Sequence, residues 1–377
     1  MNFMDSVFVE CFKELKDPRV DRTKKHLLLD IVAIAVCAVI CGAEGWEEIE
    51  DFGKARQEWF SNFLELPNGI PSHDTFSRVF GALKALEFQE SCMKWFRQIQ
   101  VLLPETVIAI DGKTLRGSAR KNKELKGLHI VNAWSCANGI DLGQLKVDDK
   151  SNEITAVPEI LKQLEIKGAI VTLDAMGCQK ENVKTVVDSE GDYIISLKGN
   201  QGNLHNLVKD SFELKDKGLN ALDVITASDE IDADHGRIDS REVEVVDTKK
   251  LRGLLDPEWL KLRSIIRVRS QRIEANKTTH EERFYISSLP HTDPTKTLKA
   301  IRSHWQVENN LHWSLDVTFR EDQSRIRQEN AAINYSWMRK FALGLLKKET
   351  SVKMSIRRKQ RKALIDPSYL TMVVKEN

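Results

Sequence analysis

Val107-Ile108-Ala109-Ile110-Asp111-Gly112-Lys113 drives an apolar, largely β-branched run straight into an aspartate, after a hundred residues without strand alternation. Ile170-Val171-Thr172-Leu173-Asp174-Ala175 repeats the arrangement. Each run reads as a buried strand that ends at a carboxylate. An ionised carboxylate in that position is costly without a partner or a metal. One strand-end Asp commonly serves as a turn or helix cap. Two in the same context favour a shared cation, provided the strands are neighbours whose ends meet at one sheet edge.

The texture around the two runs sets the fold. Strand-like segments occupy 128–136 and 140–147, with the hairpin signal Asn138-Gly139 between them. A helix over about 154–164 leads to the second Asp strand. A helix over 181–188 and a strand over 193–197 follow. The order β-β-β-α-β-α-β is the ribonuclease-H-like order. The expected fold class is therefore α/β: a ribonuclease-H-like mixed sheet flanked by helices, with a β-rich insertion and an all-helical N-terminal domain. The insertion is expected at about 222–290, with strands near 241–246, 262–268 and 283–287, and helices over 300–311 and 331–348 follow it.

Residues 1–103 read as helices over 3–16, 26–42 and 46–64 and a pair over 75–102, suited to DNA binding or protein contact. A helix-turn-helix is possible there, with Ser72 or Asp74 as a cap before Arg78. The apolar run 31–41 is too short to span a bilayer and is broken by Asp30, so a buried helix is expected and no membrane partner. Six cysteines without a CxxC pair argue against a zinc or disulfide framework and fit a reducing cytoplasm. The 377 residues carry a net charge of only +1, so charge informs only locally. From Arg339 to Lys362 ten basic residues face the single acid Glu349, which suggests phosphate binding and a basic C-terminal tail over 351–377, or simply a solvated end. The catalytic domain is then expected over 104–350.

Two strand-end acids call for a third. His304, Glu308, His312 and Asp316 follow at four-residue steps in a polar, aromatic segment and share a helix face. Hard carboxylate oxygens suit Mg²⁺ or Mn²⁺, and two such ions about 4 Å apart serve in-line phosphodiester chemistry. Two histidines around a glutamate also admit zinc, although the spacing is not HExxH. Asp316, Glu321 and Asp322 compete for the third place, or pair structurally with Arg320, Arg325 or Arg327.

The phrases 109–118 (Ala-Ile-Asp-Gly-Lys-Thr-Leu-Arg-Gly-Ser), 172–179 (Thr-Leu-Asp-Ala-Met-Gly-Cys-Gln), 197–201 (Leu-Lys-Gly-Asn-Gln) and 304–309 (His-Trp-Gln-Val-Glu-Asn) closely resemble the ISAs-type insertion-sequence transposases, including H-repeat-associated proteins. The likeness extends through 315–322, to His235-Gly236-Arg237 with Arg241, and to the helical N-terminal part. It implies a DDE triad mapped onto Asp111, Asp174 and Glu308, holding Mg²⁺ or Mn²⁺, and DNA as partner, with a homodimer on DNA possible. Lys113, Arg116, Lys198, Arg237 and Arg241 are candidate phosphate contacts, though each alone is more often a solvated charge. The chain departs from the Tyr-x2-Arg-x3-Glu-x6-Lys signature of related transposases, with Ile301, His304 and Leu315 at the other three positions. The rivals are a ribonuclease-H-like nuclease that never joins strands, and a domesticated DNA-binding remnant.

Overall fold

The computed structural model describes residues 7–98, 105–119, 127–147, 153–219, 222–229, 232–234, 237–274 and 277–374. Six helices come first: α1 (Val7–Phe12), α2 (Leu28–Ile40), α3 (Trp46–Ala55), α4 (Gln57–Ser61), α5 (His73–Ala82) and α6 (Ala85–Gln98). Residues 31–40 of α2 are all buried, and Asp30 is held by accepting the Leu66 N–H at 3.0 Å. The helix is a core element, and among the described residues none is long and apolar enough to cross a membrane.

The sheet begins with β1 (Val107–Leu115), β2 (Leu128–Ser135) and β3 (Ile140–Val147). Then come α7 (Glu153–Lys162), β4 (Ile170–Leu173), α8 (Lys180–Asp188), β5 (Asp192–Leu197) and α9 (Gly202–Asp216). After these run β6 (Val224–Ser228), β7 (Asp232–Asp234), β8 (Arg237–Asp247), β9 (Ser264–Glu274) and β10 (Lys277–Ser287). The helices α10 (Pro294–Gln306), α11 (Glu329–Lys348), α12 (Ile356–Ile365) and α13 (Pro367–Val374) close the chain.

The strand order is β3-β2-β1-β4-β5-β10-β9-β8-β6, with β7 on β8. The β1–β2 and β2–β3 pairs are antiparallel, while β1–β4 and β4–β5 are parallel. This is the ribonuclease-H-like sheet. The β-rich segment is present as expected, yet it extends that same sheet, because β10 pairs antiparallel with β5.

Side chains alternate between the two faces, and so feed two cores. Ile170 and Ile194 join Leu298, Ala300 and Ile301 of α10 on one face. Val171 and Ile195 join the larger core, which also takes in α2, α6, α7 and α11. The N-terminal helices are thus not separate from the sheet domain in packing: α11 lies against α2, α5 and α6.

Three expectations need correction. Asp111 does not end its strand, since β1 continues to Leu115 and only its pairing with β4 stops, at Ile110 opposite Leu173. α9 gave too weak an apolar stripe to be foreseen. Residues 351–374 are not a loose tail: Tyr369, Leu370, Val373 and Val374 are buried, and Lys359 donates to the carbonyls of Leu346 and Glu349. Of the basic run, Arg339 and Lys340 are also core residues, so its charge count overstated what solvent sees.

Candidate active site

The sheet's period of two decides which side chains meet. Ala109 lies opposite Thr172 in the β1–β4 register, so the positions two residues on, Asp111 and Asp174, continue the same face. They lie one residue beyond the last paired positions, Ile110 and Leu173, at the point where the two strands part. Asp174 follows directly on the end of β4, and its carboxylate accepts the Gly177 N–H at 3.0 Å, which orients it.

The candidate third acid, Glu308, lies just beyond α10. Asp293 caps this helix by accepting the Lys296 N–H at 2.8 Å, and Pro294 opens its first turn. The helix then widens to π-helical turns over Val307–His312 and Ser314–Thr318. Such turns are rare and concentrate at functional sites. Through them the sequence stripe docks on the strands. His304 Nδ1 lies 3.0 Å from Thr172 Oγ1, His312 Nδ1 lies 3.6 Å from Asp111 Oδ2, and Asp316 Oδ1 accepts from Lys113 Nζ at 2.6 Å. Glu308, between the two histidines in this series, is exposed.

Asp111, Asp174 and Glu308 line one cleft of about 340 Å³, together with Thr172, Ser196 and Lys198 from the sheet. Burial pushes His304 down to about 4, opposed by the Asp174 charge, and pushes His312 down to about 3, helped by the nearby Lys113 and Lys340. Both imidazoles are neutral at pH 7, so the His312–Asp111 approach is a polar contact and not an ion pair.

Among the described residues no three His, Cys, Asp or Glu side chains lie close enough to hold one ion. Zinc, which takes such a closed tetrahedral set, is not supported. Mg²⁺ is different. It keeps waters and is commonly bound through one or two carboxylates plus substrate phosphates, so it does not require three clustered protein ligands.

A family model described as Transposase DDE domain matches residues 102–345, and one described as DDE_Tnp_1-associated matches residues 9–96. The chain belongs to the DDE transposase family. It is similar to the H repeat-associated protein YhhI of Escherichia coli strain K12, 40% identical over 93% of each chain. It is also similar to YncI of Escherichia coli O157:H7, 38% identical over 96% of this chain and 92% of that one. Both of those names contain the word transposase. Among solved structures, a piggyBac transposase synaptic complex with hairpin DNA matches with a TM-score of 0.44 at 11% identity, over 98% of this chain and 77% of that one.

The five basic residues expected to meet phosphate fare differently in this transposase. Lys113 points inward: its side chain is 9% exposed and pairs with Asp316 and Glu321, at 2.6 and 2.8 Å. Arg116 is open to solvent, 3.6 Å from Asp322. Lys198 is exposed at the cleft, and Arg241 lies in the larger groove beside it. The side chain of Arg237 and the backbone of His235 and Gly236 lie outside the described residues.

The partners foreseen for the competing acids are corrected too. Glu321 and Asp316 pair with Lys113, and Asp322 with Arg116, not with Arg320, Arg325 or Arg327. Glu321 also accepts from Ser336 Oγ at 2.9 Å and is buried. What sequence reasoning missed is the contribution of β10, whose Glu281, Arg283 and Tyr285 line the cleft. Their polar alternation with Phe284 and Ile286 was the available signal.

Proposed function

We propose that this DDE transposase cuts DNA at the ends of an insertion-sequence-like element and joins the freed 3′ end to target DNA, with Asp111, Asp174 and Glu308 as the acids that do the work. The observation that supports the reading is that three carboxylates, from β1, from just after β4 and from a π-turn, line one cleft. A divalent ion held there, Mg²⁺ or Mn²⁺, would lower the pKa of the attacking water and stabilise the leaving oxygen.

The chain's own residues supply the rest. Neutral His304 and His312 flank the acids without adding positive charge that would compete with the ion. Thr172 and the Gly177 N–H hold His304 and Asp174 in place. Lys198, Arg116 and Arg241 serve as phosphate contacts that orient the strand for in-line attack.

The test is incubation of purified protein with labelled DNA carrying the sequences that flank its gene, a target plasmid and Mg²⁺ or Mn²⁺. Nicked ends followed by joined products are expected. Nicking without joining would leave a nuclease. Neither product, from folded protein that still binds the ends, would leave a DNA-binding remnant.

A further inference from the structure

Arg283 sits where the acid cleft opens into the larger groove lined by Arg241, Arg272 and Arg302, and it borders both. Its guanidinium lies over the Trp305 ring, 4.4 Å from the centroid, and Trp305 is one helical turn before Glu308. Stacking on a ring fixes the plane of the fork and leaves its N–H edge free to choose a partner. That edge is filled by Glu281: Nε donates to Oε1 at 2.6 Å and Nη2 donates to Oε2 at 2.8 Å.

The geometry is the bidentate one that an arginine offers equally to a carboxylate or to a phosphate. The pair is half in water, with Arg283 at 30% and Glu281 at 55% side-chain exposure, so exchanging one anion for the other costs little. The same habit recurs along the groove, where Arg272 donates to Asp239 at 2.8 Å and Arg302 lies 3.1 Å from Asp229.

We infer that Glu281 is a built-in stand-in for a DNA phosphate: it holds Arg283 in the free protein and is displaced when the strand entering the acid cleft presents its phosphodiester to the guanidinium. This rests on the reading that the cleft takes DNA. Arg283 is then a strand-binding residue set by Trp305, and Glu281 tunes affinity by competing for it. A carboxylate beside the catalytic acids is otherwise unfavourable to a polyanionic substrate, and the exchange explains its place.

The experiment is a double-mutant cycle of binding, read by fluorescence anisotropy on a labelled duplex carrying the gene-flanking sequence. Glu281→Gln is expected to tighten binding about fivefold and Arg283→Ala to weaken it about tenfold, the scale of one charge-assisted phosphate contact. Arg283→Lys should recover only part of the loss, because a point charge lacks the fork. In the Arg283→Ala background, Glu281→Gln should have no effect. Equal tightening in both backgrounds would reduce Glu281 to general repulsion and overturn the inference, as would wild-type affinity in Arg283→Ala. A wild-type protein that binds no DNA would overturn the functional reading itself, whatever the variants do.

Discussion

Asp111→Asn removes one charge and almost no volume from the cleft, so cleavage should fall by roughly 10³-fold or more while DNA binding persists. Metal-supported nicking at the wild-type rate would remove Asp111 from the triad. Glu308→Gln should match that loss with an unchanged melting temperature, since Glu308 is exposed. Asp316→Asn should behave in the opposite way. It strips one partner from buried Lys113, costs about 1–3 kcal/mol of stability, and leaves chemistry in the folded fraction. The two histidines add a pH signature. Their folded-state pKa values, about 4 and about 3, lie below the ordinary 6.5. Below that value the unfolded chain takes up protons that the folded chain refuses, so stability is complete above it and drains away as pH falls toward 4. Melting temperatures across that range should show the fall, and His312→Gln should flatten it. At this scale the sequence was legible where a residue type met a strong local context, as an Asp after a buried strand does. It offered Lys113 as a phosphate contact and missed its inward pairing, because its partners Asp316 and Glu321 lie about two hundred residues downstream, and nothing local separates an inward lysine from an outward one.

The elements explain why the quoted phrases go together. The turn after β1, Arg116-Gly117-Ser118, packs on residues 322–324, and a Cβ on Gly117 would stand 2.1 Å from the Ser324 carbonyl oxygen. Gly117→Ala must therefore push two backbones apart beside the Lys113–Glu321 pair. A loss of about 1–3 kcal/mol in urea unfolding is expected, with reduced cleavage although all three acids remain. Strand assignments around the two Asp runs were legible because β-branched runs and Asn138-Gly139 leave few alternatives. The π-turns were not, since a change from 3.6 residues per turn leaves no mark in an apolar pattern that is already irregular. Nor was the place of β8, β9 and β10 within the main sheet, which depends on β10 meeting β5 at long range.

For the whole molecule, the shared core makes the C-terminal helices part of the support of α11, and through it of the sheet. Arg56, between α3 and α4, donates to the Leu364 carbonyl at 2.5 Å and so ties α12 to the N-terminal helices. Deleting 351–377 should lower the melting temperature before it alters any DNA contact. A gentler probe is Arg357→Ser, Arg358→Ser and Arg361→Ser together, all exposed on α12. If that face meets DNA, the slope of log affinity against log salt should shrink by about 0.9 per lost contact, and an unchanged slope would leave α12 a solvated surface. The helical content of the N-terminal region was legible from periodicity, but its packing against α11 joins faces far apart in sequence.

The position of Glu308 downstream of the whole β6 to β10 excursion also governs timing. During synthesis the strands bearing Asp111 and Asp174 leave the ribosome long before α10 does, and Lys113 waits for Glu321, 208 positions later. Until that late segment emerges, the nascent chain holds only two acids of the proposed triad and is expected to be inert toward DNA. On the proposed triad, a chain cut short before residue 308 would lack the third acid and is expected not to cut DNA.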